Sequence, residues 1–262
     1  LVVDENTKTV AVTADKTLTL VGSKDGGELV DFQTTEEGTS IDVNGGLALG
    51  VTGADAEATK GTITSTVELA TGSNLKATNG EFTLSKVNAN GANIEVASGT
   101  LAVTDLTLSG ETTVAAAAGA TTNFKNVAAN EGTHQIKGDI TAETVTGEGT
   151  LLVGSAEEDA SASATLAVKT LDHTGVIFID PAWVDGQGIE DGSFFTVDNL
   201  GDTNELKAHV VAGQNSTFVF GTTKEAAVEA FGKTGLAYGE KDITAVLYVA
   251  KPINVTTGSI TV

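Results

Sequence analysis

Leu75-Lys-Ala-Thr-Asn-Gly80-Glu-Phe82-Thr-Leu84-Ser-Lys-Val87 lies without a gap over Ile94-Glu-Val-Ala-Ser-Gly99-Thr-Leu101-Ala-Val103-Thr-Asp-Leu106, at an offset of 19 residues. Every apolar position falls on an apolar position, and Gly80 falls on Gly99. The unit is too short for a helical-hairpin repeat and has strand periodicity on both sides of its glycine. It fits one coil of a β-solenoid, whose inward side chains are buried against the coils above and below.

Outward from this stretch the unit reads small, apolar, any, apolar, any, any, apolar. Phe82, Leu84 and Val87 satisfy it, as do Leu101, Val103 and Leu106; Ile140, Ala142 and Val145; and Leu166, Val168 and Leu171. Phe124 and Val127 keep its second half. Successive starts at residues 82, 101, 122, 140 and 166 give a period drifting between about 18 and 26, as when loops of unequal length leave one corner of a coil. Period-2 alternation places the apolar residues on one face of short strands, and the three-residue step marks a corner. Asn79-Gly80, Asn90-Gly91, Ser98-Gly99, Ser109-Gly110 and Gly147-Glu-Gly149 supply turns between them.

Less regular strands are expected earlier, around Val10 and Val12, Leu18 and Leu20, and Leu47, Leu49 and Val51. Val114-Ala-Ala-Ala-Ala-Gly119 reads as a coil with a small-residue core rather than as helix. Near Asp180-Pro181 the character changes. Trp183, Phe194, Phe195, Phe218, Phe220, Phe231, Tyr238 and Tyr248 raise the aromatic density. Thr222 to Phe231 is the best helix, with a Thr cap, an early Glu225, a stripe of Ala227, Val228 and Phe231, and Gly232 as its stop. Strands are expected at 242–249 and 253–262. The domain reading is a β-solenoid over 1–179 and a β-rich capping or continuation region with one short helix over 180–262.

Composition agrees with stacked coils. About 40% of the 262 residues are apolar but only 5% aromatic, which gives a thin core of small side chains. Just two prolines leave strand N–H groups free to pair. The formal charge is −21 and all 14 basic residues are lysine, so the chain repels phosphate backbones and lacks the guanidinium fork that grips them. Nucleic acid is therefore not an expected partner. Cysteine is absent, which excludes disulfides and thiolate chemistry. No apolar run reaches the roughly 18 residues of a membrane span. The lack of methionine and the start at Leu1 read as processing, or as a piece of a longer polypeptide.

Chemistry-bearing residues are sparse in pattern. His134, His173 and His209 are too far apart for a local ligand motif and read as incidental polar positions. Asp180, Asp185, Glu190 and Asp191 crowd one glycine-rich loop and are the candidate calcium ligands, although the spacing is not that of an EF-hand. Asp198, Asp202 and Glu205 form a second acidic group. No other cofactor is expected. A polysaccharide-cleaving β-helix needs two carboxylates converging on a groove, normally with aromatics to stack on sugars. Residues 55–175 offer only Phe82 and Phe124, both on the inward register. A catalytic cleft is accordingly not expected, and sugar binding or cleavage is the runner-up reading.

The strands Gly99-Thr-Leu-Ala-Val103 and Gly149-Thr-Leu-Leu-Val153, the Asn- and Gly-rich turns and the missing cysteine resemble passenger regions of bacterial autotransporter adhesins and related large surface proteins. The likeness covers roughly residues 60–175. Val211 to Gly221, the helix and Ile243 to Tyr248 resemble a segment that follows the solenoid in such proteins. The resemblance implies a right-handed parallel β-helix, secreted or at the bacterial surface. It implies adhesion, scaffolding or self-association without enzymatic activity. The partner would be another copy of the chain, with end-to-end filaments as one form, or glycans of a host or cell surface.

Overall fold

The computed structural model describes residues 1–34, 38–50, 59–154, 163–179, 189–201, 203–238 and 245–262. Val51, Trp183 and the start of the strand expected at 242–249 lie outside them. The chain forms two compact units, Leu1–Ala128 and Ala129–Val262.

Unit 1 holds β1 (Val2–Val3), β2 (Thr9–Val12), β3 (Thr17–Leu20), β4 (Asp31–Phe32), β5 (Ser40–Val43), β6 (Gly46–Leu49), β7 (Lys60–Leu69), β8 (Asn74–Ala77), β9 (Glu81–Asn90), β10 (Asn93–Val96), β11 (Thr100–Ser109), β12 (Thr112–Ala116) and β13 (Thr121–Ala129), which ends at the boundary. Apart from β1 and β4, which form a separate two-stranded parallel sheet, they stack as two parallel sheets, ordered β2-β5-β7-β9-β11-β13 and β3-β6-β8-β10-β12, and each coil contributes one strand to each sheet. The 19-residue repeat is the register itself: Leu75 pairs with Ile94, Phe82 with Leu101, Leu84 with Val103 and Val87 with Leu106. All eight side chains are buried. At roughly 1.5–3 kcal/mol for each fully buried aliphatic or aromatic side chain, these columns are the main source of cohesion.

The corner read from the three-residue step is visible within β9. Ser85 and Lys86 both turn away from the core between inward Leu84 and Val87, so the strand bends and contributes to two faces. With β10 as the third, this coil has three faces. Gly99 makes one tight turn possible: its φ is +77°, and a Cβ there would collide with the Gly80 carbonyl oxygen. The tract at 114–119 contributes to strand, as β12. Outside, the same register aligns polar partners. Lys76 meets Glu95 at 2.8 Å, and the Asn93 amide donates to the Asn74 side-chain oxygen at 3.0 Å.

Unit 2 holds β14 (Thr133–Lys137), β15 (Asp139–Gly147), β16 (Thr150–Val153), β17 (Thr165–His173), β18 (Val176–Ile179), β19 (Ser193–Asn199), β20 (His209–Ala212), β21 (Ser216–Phe220), α1 (Lys224–Gly232), β22 (Ala245–Val249) and β23 (Ser259–Thr261). Its sheets run β15-β17-β19-β21-β22 and β14-β16-β18-β20-β23, again parallel. Here the inward columns enlarge: Ile140, Leu166, Phe195, Phe218 and Leu247 lie in one column, with the Phe195 and Phe218 rings stacked 5.5 Å apart. Both sheets therefore continue through the aromatic-rich region, and the helix is an excursion between β21 and β22.

That helix is capped by Thr223, whose hydroxyl accepts from the Ala226 N–H. Gly232 is its last residue instead of a stop beyond it. The helix covers the outer side of the sheet, where Ala227 joins buried Ile189, Phe194, Val219 and Tyr238. Val228 and Phe231 pack there half-buried, which leaves only Ala227 of the expected stripe fully enclosed. The final strand is shorter than expected, Ser259–Thr261, and Asn254 makes an isolated parallel bridge to Glu205.

Candidate functional site

Only part of the acidic group falls within the described residues. Asp180 and Asp185 lie outside the described residues, while Glu190 and Asp191 sit on a short 3-10 turn, Ile189–Asp191, that is anchored by buried Ile189. In the second group, Asp202 also lies outside them and Asp198 is exposed. The Glu205 carboxylate accepts from the hydroxyls of Thr256 and Thr257, and those bonds hold it below the usual carboxylate range. Among the described residues no three carboxylates or imidazoles converge in a way that would hold a metal ion.

Two of the three histidines occupy a place that the sequence does not announce. His134 and His173 are 0% and 1% exposed, inside one corner of the coils of unit 2. His134 Nε2 lies 2.9 Å from the Asn130 carbonyl, and His173 Nε2 lies 2.9 Å from that of Gly149. His173 Nδ1 is 3.3 Å from the Thr146 carbonyl, and His134 Nδ1 has no hydrogen-bond partner. Gly149 threads this corner because a Cβ would collide with the Asn130 carbonyl oxygen and stand 2.9 Å from His134 Nε2. Burial pushes both imidazoles below their ordinary value, against the raising effect of the carbonyls; for His173 the proximity of His134 lowers it further. Neutral rings with Nε2–H donating satisfy the two shortest contacts. These are structural residues of the core. His209 is exposed and meets Ser259 Oγ at 3.0 Å.

A cleft of about 340 Å³ opens in unit 1 beside Leu18, Leu20, Val21, Leu29, Glu28 and Lys60. Its charged groups are already engaged. Glu28 accepts from the Thr64 N–H at 2.8 Å and the Thr62 hydroxyl at 3.2 Å, and Lys60 pairs with Glu81 at 2.8 Å.

The remaining features are surfaces. On the outer face of β14-β16-β18-β20-β23, Gln135, Leu152, Phe178, Val211 and Thr261 form one row, and Thr133, Thr150, Val176, His209 and Ser259 form the next. In a chain of net charge −21, these ten outward positions contain no carboxylate and no lysine. The second surface is β22, the outermost described strand of its sheet. Leu247 and Val249 continue the buried columns of Phe218 and Phe220, yet they are 42% and 40% exposed. Among the described residues nothing pairs with the outer edge of β22 or β23. Sequence reading misses both features: Leu152 and Phe178 look like breaks in alternation, and Ala245–Val249 has the same pattern as an interior strand.

No protein-family model, no curated protein and no solved structure matches the chain. The class defined by the strands alone is an all-β parallel β-helix solenoid.

Proposed function

We propose that this protein is a non-enzymatic structural or adhesive component that works outside the cell, at a surface or in a matrix, through association with copies of itself. The observation that carries this reading is the uncharged outer rows of β14-β16-β18-β20-β23 around Leu152 and Phe178, since a strongly acidic chain meets its own copies most easily where charge is absent. The resemblance to autotransporter passengers favours the extracellular setting.

Light scattering and negative-stain electron microscopy across low to high micromolar concentration test this reading. Concentration-dependent assemblies are expected. A monomer at every concentration, with unchanged scattering, would overturn it.

A further inference from the structure

Two lateral faces of unit 2 differ in charge. Along β15 and β17 the exposed side chains include Asp139, Glu143, Lys169 and Asp172. On β14, β16, β18 and β20 the central outward row is Gln135, Leu152, Phe178 and Val211, and the row beside it includes Val176, which is 37% exposed. Neither row holds a carboxylate or a lysine. The lysine these strands do carry, Lys137, is the last residue of β14, past its paired positions. Leu152 and Phe178 sit on β16 and β18, each with a strand on both sides, so the centre of the face lies inside the sheet and not on its margin.

A two-fold axis sets a face against itself. A charged face then meets its own sign, whereas apolar, hydroxyl and amide side chains meet without repulsion. In a chain at −21, the neutral face is the one that a second copy approaches at least electrostatic cost. Leu152, Phe178 and Val211 add apolar area that gains by leaving water. Area sets the strength. With strands about 4.8 Å apart and about 3.3 Å per residue, a block four strands wide and four residues long offers roughly 250 Å² per copy. Stable complexes bury roughly 800 Å² per partner. The contact therefore belongs to the weak, reversible class.

We infer that this face is a two-fold interface: β14-β16-β18-β20 of one copy packs flat on the same strands of a second, about an axis that runs along the strands between Leu152 and Phe178. That axis sets Phe178 of each copy over Leu152 of the other, and Val211 over Gln135. An axis along the stack would instead press Phe178 on Phe178 and Leu152 on Leu152. Facing sheets share one spacing of about 10 Å, and pairs of a larger with a smaller side chain fill it more evenly. Two copies satisfy the contact, so assembly through this face stops at a dimer.

This inference rests on the self-association reading, and the experiment separates the two. Sedimentation equilibrium from low to high micromolar concentration compares the full chain with Phe178→Lys, with Leu152→Glu and with an equal mixture of those two variants. Thr141→Lys, at an exposed position of β15, is the charge-matched control. The wild-type mass is expected to rise toward the dimer and not beyond it. Each face variant is expected to lose about tenfold or more in affinity with unchanged circular dichroism, although the added lysine lowers the net charge. The mixture is expected to recover association, because the introduced lysine of one chain lies opposite the introduced glutamate of the other. Thr141→Lys is expected to lose nothing. A wild-type monomer at every concentration would overturn both readings. Association that grows past the dimer, that both face variants retain, or that the mixture fails to recover would overturn this interface alone.

Discussion

Gly99 shows how a single position sets the spacing of two coils. Its positive φ is strained for any L side chain, and the Gly80 carbonyl lies where a Cβ would go. Relief by backbone shift would stretch the hydrogen bond from the Thr100 N–H to the Gly80 oxygen, now 2.7 Å. Gly99→Ala is expected to destabilise by on the order of 2 kcal/mol in denaturant titration. By contrast, Lys76→Ala removes an ion pair that is about half exposed on both sides, and exposed pairs contribute little. This contrast was legible in the sequence, because Gly80 and Gly99 align in the gapless repeat. The burial of His134 was not: its neighbours Thr133 and Gln135 are polar, and only the register against Leu151 turns it inward.

At the scale of elements, the His134–His173 corner joins successive coils of unit 2 and makes their cohesion sensitive to acid. Both imidazoles are pushed below the ordinary histidine value in the folded state. The unfolded chain therefore takes up protons first as pH falls. The stabilisation from neutral buried rings is complete above about pH 6.5 and declines below it, toward the lowered folded-state values, by up to ~1.4 kcal/mol per pH unit for each histidine. Urea unfolding from pH 7 to pH 5 is expected to show this fall, and a His134→Leu, His173→Leu double variant is expected to flatten it. An unchanged slope in the double variant would mean that carboxylates alone set the acid response. The strands around this corner were readable from Ile140, Val145, Leu166 and Leu171, as was a threonine cap for the helix, whereas its last residue is the Gly232 read as its stop. Whether Thr222 or Thr223 caps depends on which hydroxyl reaches the Ala226 N–H, and adjacent threonines look alike in sequence.

For the whole molecule, the −21 charge opposes any meeting of copies, whichever surface they use. Added salt shortens the Debye length from about 10 Å at 0.1 M toward about 3 Å at 1 M. Association measured by sedimentation is expected to strengthen with sodium chloride over that range; weakening would indicate an interface built on ion pairs instead. The fold class was legible because each coil repeats the same inward pattern. The end of the stack was not, since Ala245–Val249 would be an interior strand if another coil lay beyond it. Exposure there is a property of what is next to the strand, and the strand's own residues do not encode it.

The unequal loops between equal strands also govern the order in which the structure can assemble. Leu75 finds Ile94 after 19 residues of chain, whereas Val210 must wait for Ile260, 50 residues on. The extra closure entropy is modest, about 0.9 kcal/mol from loop length alone. The short-period coils between β8 and β11 are therefore expected to form ahead of the β20–β23 pairing.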